Sequence, residues 1–560
     1  MTSRRATERN DVTKSAPWST SILSLAMLAA CGSATETRGA SSRQPEQAAV
    51  EAPPPASGPS EEAPARHTWY RPPQGAYWMP DVPSGPTELE YRDGAVWLGD
   101  RILYVRPAAE GALQNWIEHV EGAVNVRVDA EGACELARMR EAGTLPATVE
   151  LGIDLRESAT PEAVRCAIAA RPTALSVERT PTFDDELLRE VAALSELRVL
   201  SLAFTGVTTQ GLAHLAGLTS LEQLDLSRIE AGALEPLAGL RELSVLDLRF
   251  CRVDDEGMRR IGELTSLRRL DLMSNYGFAD ASVRHLAALS GLEHLELGST
   301  RVTSAGLAHL AGLTALRSLG LGNQAITDAG LAHVAGLTSL EKLTLWTARV
   351  TDAGMSHLAG LTRMRELNLG HTQVSDEGLA HLRAMSALEE LDLERTQVEG
   401  PGLAHLAGLT ALSELSLHQT PISDEGLAHL VGLPALRNLI LWDTRIGDAG
   451  LVHVGRMPAL ERLMLDETQV SDAGMRHLVG LSSLSMLSLG ETRVGDRGLA
   501  SVAQLTGLDE LALGGTRVSN AGVAHLARLP SLRSLDVSET RVTEAGVRAL
   551  EERGVSVRLD

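Results

Sequence analysis

The chain has 560 residues, of which 44% are hydrophobic and only 3% are aromatic. One compact core rarely grows beyond about 250–300 residues, so the chain must either divide into domains or stack repeated units. The formal net charge of -22 argues against nucleic acid as a partner, because phosphates are held by clustered Lys and Arg.

Residues 1–31 have the pattern of a targeting segment. A basic start is followed by an apolar run from Ile22 to Ala30, which is too short to span a bilayer. The run ends in Leu-Ala-Ala-Cys31-Gly, which resembles the lipobox of bacterial lipoproteins. The resemblance implies that Cys31 is acylated and anchors the protein at the outer membrane or cell surface. The alternative is an ordinary secretory signal with an incidental cysteine.

Two further segments precede the regular part of the chain. Residues 32–66 are rich in Ala, Pro, Ser and Glu, which predicts a disordered tether. Residues 67–145 hold most of the aromatic residues, and their pattern predicts short strands and helices. The predicted elements are a strand pair at 95–98 and 102–105, a helix at 113–120, a strand at 124–128 and a helix at 134–140. We expect this region to cap the first repeat, and a separate ligand-binding module is the alternative.

From about residue 146 to residue 560, the chain repeats one pattern. Fifteen Leu-x-Leu pairs lie between Leu200 and Val537, twelve of the fourteen intervals being 24 residues, and degenerate copies precede them. Each copy begins with the alternation of a half-buried strand and continues at helical spacing. In one copy, Thr327 is placed to cap the helix, Asp328 to favour its dipole and Gly336 to end it in a left-handed conformation.

A single copy cannot bury its own apolar face, so the repeats must stack. Parallel strands lie about 4.8 Å apart, whereas helices need about 10 Å, so the strands must form the inner wall of a curve. The sequence therefore predicts a curved α/β solenoid with an inner parallel sheet and outer helices.

The repeat resembles the leucine-rich repeat family, in the ribonuclease-inhibitor-like and F-box-associated subclass with the pattern I/V-T/S-D-x-G-L-x-x-L. The resemblance covers about two thirds of the chain, and it implies partner binding on the concave face. Where the family usually has Asn or Cys, this chain has Cys251 and Asn275, but Thr in most other copies. We expect those hydroxyl groups to find backbone partners in the interior.

Two groups of residues stand out on the predicted concave face. Trp346 and Trp442 share one column, with Glu394 and His418 between them and His371 beside them. The surface around them is acidic, through Glu366, Glu390, Asp392 and Glu414. A second patch is basic and partly aromatic, and consists of Arg228, Arg249, Phe250, Arg252 and Arg269. Exposed Trp and Arg often anchor interfaces, so both groups are partner-binding hypotheses, with drift on a permissive surface as the alternative.

Eleven histidines occupy one position of the outer segment: His214, His285, His309, His333, His357, His381, His405, His429, His453, His477 and His525. A metal or pH-sensing ladder is one interpretation, but helices about 10 Å apart separate the imidazoles too widely for shared first-shell ligation. Duplication of a packing or surface residue is the interpretation that we favour, and we expect no metal site.

The cysteines and short motifs give no active site. A disulfide between Cys134 and Cys166 is one possibility that the sequence leaves open, and Cys251 is most simply a buried thiol. No metalloprotease, serine-hydrolase or P-loop motif occurs, and we expect no cofactor.

Taken together, these features predict a non-enzymatic, monomeric binding scaffold of the bacterial cell envelope whose partner is a protein. Two alternatives remain from the sequence. One is an envelope sensor or enzyme whose active part is the region 67–145, and the other is a structural spacer of the cell surface.

Overall fold

The computed structural model describes residues 89–92, 95–98, 101–102 and 124–559, apart from residues 146, 148, 156–158, 231 and 233. The lipobox with Cys31, the tether and the predicted helix at 113–120 lie outside the described residues. In the described part of the chain, no helix is long and apolar enough to cross a membrane.

A small antiparallel sheet comes first. It consists of β1 (Leu89–Arg92), β2 (Ala95–Leu98) and β3 (Arg101–Ile102). Leu89 pairs with Leu98, and Trp97 pairs with Ile102. The first predicted strand is present as β2, the second overlaps β3 at residue 102, and β1 is an additional strand that the sequence pattern did not predict.

All later strands form one parallel sheet in which each strand pairs with the next in sequence. Leu319 pairs with Leu343, which pairs with Leu367, so the Leu-x-Leu segments lie in register. Across the described residues no pairing joins the last strand to the first, so the sheet is open. The strands are β4 (Val124–Arg127), β5 (Leu151–Asp154), β6 (Ala174–Ser176), β7 (Val199–Ser201), β8 (Gln223–Asp225), β9 (Val245–Asp247), β10 (Arg269–Asp271), β11 (His294–Glu296), β12 (Ser318–Gly320), β13 (Lys342–Thr344), β14 (Glu366–Asn368), β15 (Glu390–Asp392), β16 (Glu414–Ser416), β17 (Asn438–Ile440), β18 (Arg462–Met464), β19 (Met486–Ser488), β20 (Glu510–Ala512), β21 (Ser534–Asp536) and β22 (Ser556–Arg558).

The outer segments are helices of two types. Because each repeat leaves only a few residues for this side, many segments are single turns. The α-helices are Ala130–Glu141, Pro161–Ala169, Asp185–Val191, Asp255–Ile261, Asp280–Val283, Asp328–Val334, Asp352–Met355, Gly450–Val454, Asp472–Met475, Asp496–Val502, Asn520–Leu526 and Glu544–Glu551. The 3-10 helices are Gly211–Gly217, Glu235–Gly239, Arg284–Ala288, Gly306–Leu310, Ser356–Leu358, Gly378–Leu382, Pro401–Leu406 and Asp424–Leu430.

The predicted curved α/β solenoid is confirmed, but the sheet starts earlier than expected. The sequence placed the start of the solenoid near residue 146, whereas β4 already pairs in parallel with β5. The helix Ala130–Glu141 follows β4, and a disulfide between Cys134 and Cys166 joins this helix to the next one, with a Cα–Cα distance of 4.6 Å. The end of the region 67–145 is therefore the first repeat of the solenoid.

At six places an Asp of one repeat and a Thr or Ser of the next repeat connect the two repeats. Asp328 Oδ1 accepts from the backbone N–H of Thr351 at 2.8 Å, and its Oδ2 accepts from the Thr351 hydroxyl at 2.7 Å. The hydroxyl of Thr327 does not cap its own helix, and it lies 3.0 Å from the hydroxyl of Ser304. The predicted role of Thr327 as a cap was therefore wrong. The same Asp arrangement recurs at Asp185, Asp280, Asp352, Asp448 and Asp496.

The threonine column inside the sheet is satisfied as expected. Thr468 donates its hydroxyl to the carbonyl of Leu465 at 2.6 Å, and the other threonines of this column bond to the residue three before them at 2.6–2.7 Å. Asn275 does more, because its Nδ2 donates to the carbonyls of Leu248 at 2.7 Å and Leu272 at 2.9 Å. Its Oδ1 also accepts from the N–H of Val253. Asn275 thus joins two repeats, whereas a threonine bonds within its own.

Candidate binding surface

A sharp turn ends almost every strand of the parallel sheet. In 14 of the 15 pairs, the residue four positions after the first leucine has a positive φ, a conformation that favours Gly or Asn. The fourth residue after that leucine is therefore the one at which the chain turns out of the sheet. The residues of this column are Phe204, Arg228, Phe250, Ser274, Ser299, Thr347, His371, Arg395, Gln419, Asp443, Glu467, Glu491, Gly515 and Glu539. Gly336, which the sequence predicted to end its helix in a left-handed conformation, is not among the residues with positive φ, so that prediction was wrong.

The first candidate group begins at Trp346 and His371, in consecutive repeats. The two ring centroids are 5.0 Å apart, with an interplanar angle of 66°, which is an edge-to-face contact. The Nε2 atom of His371 lies 3.1 Å from Oε1 of Glu394 in the next repeat. Three repeats are thus joined by direct side-chain contacts.

Glu394 is the centre of the group. Its side chain is 3% exposed, and its Oε1 also lies 3.8 Å from Nε2 of His418 and 3.9 Å from Nε of Arg395. Burial raises the pKa of Glu394, while His418 and Arg395 oppose that increase. Burial lowers the pKa of His371, and Arg395 adds to this effect. The buried carboxylate is therefore hydrogen-bonded to the His371 imidazole and lies close to the His418 imidazole.

The group continues to Trp442. The Nδ1 atom of His418 lies 3.0 Å from the Trp442 carbonyl oxygen, and the two rings are 4.4 Å apart at 30°. The Trp442 indole N–H donates to Oε1 of Glu467 at 3.1 Å. We call Trp346, His371, Glu394, His418 and Trp442 the aromatic row.

Exposure differs strongly along the aromatic row. Trp442 is 41% exposed, and Trp346 and His371 are half-buried. Glu394 and His418 are buried, so the expectation that all five face outward was wrong for these two. Their position inside the wall follows from their mutual contacts, and it makes them supports for the outer residues.

Acidic side chains line the neighbouring column of the sheet. Lys342 Nζ lies 2.5 Å from Glu366 Oε2, and Asn438 donates to Glu414 Oε2 at 3.0 Å. Glu390 lies between these two glutamates in the sheet register. Burial, followed by repulsion from Glu366 and Glu414, raises the pKa of Glu390 to about 7, and burial raises that of Asp392 to about 6. This surface is acidic, as predicted.

The second candidate group differs from the predicted basic patch. Arg249 Nη2 lies 2.6 Å from Asp247 Oδ2, and its Nε lies 3.5 Å from Asp271 Oδ2, so its charge is compensated. Arg252 pairs with Glu230 at 3.1 Å. The prediction of a basic surface was therefore wrong for these two arginines, because each has an acidic side chain beside it.

Arg228 and Phe250 do come together, with one residue that the sequence interpretation missed. The guanidinium carbon of Arg228 lies 4.2 Å from the ring centroid of Phe250 and 4.7 Å from that of Phe204. Phe204 occupies the same position of its repeat as Arg228 and Phe250, so the repeat alignment could have found it. Arg269 lies in β10 beside His294, whose pKa is lowered to about 4 by burial and then by Arg269.

The histidine column and Cys251 are the remaining candidates for a functional site. The histidine column lies in the outer segments, and its members are half-buried or exposed. Within the described ranges, no three His, Cys, Asp or Glu side chains are arranged to hold a metal ion. Cys251 is fully buried, its thiol donates to the Leu226 carbonyl at 3.0 Å, and burial raises its pKa.

Comparison with known proteins agrees with this architecture. A family model described as a leucine-rich repeat region matches residues 183–489, which is more than half of the chain. The chain belongs to the leucine-rich repeat family.

Solved structures with a similar fold include two bacterial proteins. An internalin of Listeria monocytogenes is 23% identical, with 58% of this chain and 88% of that chain covered and a TM-score of 0.42. A leucine-rich repeat protein of Leptospira interrogans is 17% identical, with 65% and 96% covered and a TM-score of 0.40. No curated protein sequence matches this chain.

Proposed function

We propose that this chain is a non-enzymatic scaffold that holds a protein partner against the aromatic row. The leucine-rich repeat fold is typically a scaffold for protein–protein interaction. The observation that carries the proposal is the unbroken series of side-chain contacts from Trp346 to Trp442, which crosses five consecutive repeats. A surface whose residues vary without functional constraint would not require a buried carboxylate, Glu394, in contact with two imidazoles, His371 and His418.

The aromatic row has the chemistry of an interface anchor. Trp442 is exposed, yet His418 stacks on its ring and Glu467 accepts its indole N–H, so its orientation is fixed before a partner arrives. A side chain that is already ordered loses little entropy on binding. Four rungs of the sheet separate Trp346 from Trp442, which is about 19 Å at the usual strand spacing. The row therefore fits an extended protein surface rather than a small molecule.

Affinity capture tests this proposal. Residues 67–560 serve as bait in a detergent extract of the cell envelope, beside the Trp346→Ala/Trp442→Ala variant and the Tyr276→Ala variant. Tyr276 is the matched control, since it is an exposed aromatic residue outside the row. We expect a protein that the wild type and the control retain and that the double variant loses. Equal retention by all three baits would refute the proposed site.

We also propose that the scaffold is a lipoprotein of the bacterial envelope, anchored through Cys31. The support is the sequence resemblance to a lipobox. Mass spectrometry of the mature N-terminus should find an acylated Cys31, and Cys31→Ser should release the protein from the membrane fraction. A mature terminus elsewhere in the chain would contradict the anchor.

The region 67–145 fits an independent sensor or enzyme less well than it fits the start of the scaffold. Its final part contributes β4 to the shared sheet, and its Cys134 is bonded to Cys166 outside the region. Expressed alone, residues 67–145 should not form a stable unit, because both contacts are lost. Independent folding with ligand binding would favour the alternative.

A further inference from the structure

Two of the four phenylalanines in the chain are exposed, and Arg228 lies between them. Phe204 is 42% exposed and Phe250 is 38% exposed, whereas Phe183 and Phe278 are fully buried. Fully burying a Phe side chain is worth about 1.5–3 kcal/mol relative to leaving it in water. About two fifths of the surface of Phe204 and Phe250 stays in water, so a partner that covers the two rings would gain further apolar burial.

The backbone at this site is also in an unfavourable conformation for its residues. Phe204, Arg228 and Phe250 have φ values of 58°, 63° and 60°. A bulky residue in this region is disfavoured relative to Gly or Asn, but the same conformation recurs along the whole column and does not by itself mark a functional site. The turn explains the backbone, but it does not explain why the side chains there are aromatic and cationic.

Arg228 is held between the two rings without an acidic partner. Its guanidinium carbon lies 4.7 Å and 4.2 Å from the ring centroids, and in the described part of the chain no carboxylate lies within ion-pair distance of it. The neighbouring Arg249 and Arg252 are both paired with acids. Other described arginines, such as Arg445, also form no ion pair, so the feature that distinguishes Arg228 is its position against two aromatic rings.

The N–H donors of Arg228 determine which ligand group it can bind. A guanidinium group has all its N–H donors in its own plane, and here the rings of Phe204 and Phe250 lie 4.7 Å and 4.2 Å from its central carbon. A carboxylate matches two of these donors and can form a bidentate pair. Groups on either side of the carboxylate would lie against Phe204 and Phe250, so they must be apolar.

We propose that Phe204, Arg228 and Phe250, which we call the Phe–Arg clamp, bind a glutamate or aspartate side chain of a protein partner, flanked in that partner by large apolar residues. This second contact point does not depend on the aromatic row, because the two groups lie in different repeats and share no residue. In the Phe–Arg clamp, Arg228 pairs with the carboxylate of the ligand, and the two Phe rings contact its apolar groups. The matched ligand is an acidic, apolar peptide segment.

A defined peptide library tests the clamp before any natural partner is identified. The full chain, solubilised in detergent, is immobilised, and 12-residue synthetic peptides are applied that carry one central Glu among varied Leu, Phe, Ile and Ser residues. Each peptide has a twin in which Gln replaces Glu. We expect the retained peptides to bind at least about tenfold more tightly than their Gln twins, since only the carboxylate satisfies the cationic edge.

Three variants decide the outcome. Arg228→Gln should remove the preference for Glu, and Phe204→Gln/Phe250→Gln should weaken retention of both twins about tenfold or more. Gln419 occupies the same position of its repeat with a φ of 52°, so glutamine is compatible with this turn. Arg445→Gln is the control, because Arg445 is an exposed arginine in a distant repeat. Retention of no peptide, equal retention of the twins, or an unchanged preference in Arg228→Gln would overturn the proposal.

Discussion

The Nε2 atom of His371 lies 3.1 Å from Oε1 of Glu394, one repeat further along the solenoid. The carboxylate is almost completely buried and the imidazole is half-buried, so this contact orients an outer residue from inside the wall. Trp346 packs on the other side of the same imidazole. These contacts show how side chains from nearly identical repeats can form a distinct local surface on the sheet.

The buried carboxylates of the early repeats should make stability depend on pH. Burial, and then the charge of Asp247, raises the pKa of Asp225 from 3.8 to about 7. A carboxyl group with a raised folded-state pKa binds its proton more tightly in the folded state, so its contribution to stability is lost as pH rises from about 4 to about 7. Asp225→Asn keeps the acceptor for the Ser227 N–H and removes the charge.

We therefore expect Asp225→Asn to raise the free energy of unfolding by about 1–3 kcal/mol at pH 8, with most of the gain gone at pH 4.5. Urea unfolding at the two pH values measures this difference. Asp536→Asn is the matched control, because Asp536 occupies the same repeat position but is half-buried and should give a smaller effect. A gain that is the same at both pH values would show that the charge of Asp225 is not its cause.

In the interior column of Thr and Asn residues, Asn275 should contribute much more to the free energy of unfolding than any threonine. Asn275→Ala removes hydrogen bonds to three buried backbone groups in two repeats, and should lower the free energy of unfolding by about 3 kcal/mol or more. Thr468→Val removes one hydroxyl bond within a repeat and should cost about 1 kcal/mol. Chemical unfolding of both variants makes the comparison, and equal losses would contradict it.

The disulfide should stabilise the first repeats and leave the rest unaffected. Cys134 and Cys166 are 32 positions apart, and closing such a loop is worth about 3–4 kcal/mol in the chain-entropy model. Contacts in a solenoid are between neighbours, so the effect should stay local. Hydrogen exchange should therefore speed up in β4 and β5 on reduction, with β18 as the internal control. Faster exchange throughout the sheet would contradict this local role.

The repeat period was enough to predict the parallel register, because a shared 24-residue spacing can bury its leucines only by stacking. It also predicted that the threonine hydroxyls would bond to backbone groups. It did not reveal the left-handed turn at Phe204, Arg228 and Phe250, since that conformation depends on how each strand ends and not on hydrophobic spacing. The cross-repeat role of Asp328 was likewise missed, because its partner lies 23 residues away and only the stacked structure brings the two together.

Part of the candidate binding site could be predicted from the sequence. A shared column placed Trp346, Glu394, His418 and Trp442 together, and the side-chain contacts agree with that placement. Burial of the two central residues could not be predicted, because it depends on how closely neighbouring side chains cover the wall. Pairing of Arg249 with Asp247 was missed for the same reason, so a surface that looked basic in sequence is locally compensated.

The most direct test of the account is the dissociation constant of the captured protein partner for the purified chain. The comparison includes Trp346→Ala/Trp442→Ala and the control Tyr276→Ala, with circular dichroism to verify that each variant is folded. Two interface anchors of this type contribute about 2 kcal/mol or more each, so the double variant should bind roughly a thousandfold more weakly, with the control unchanged. A dissociation constant of the double variant equal to that of the wild type would contradict the claim that the aromatic row is the binding site.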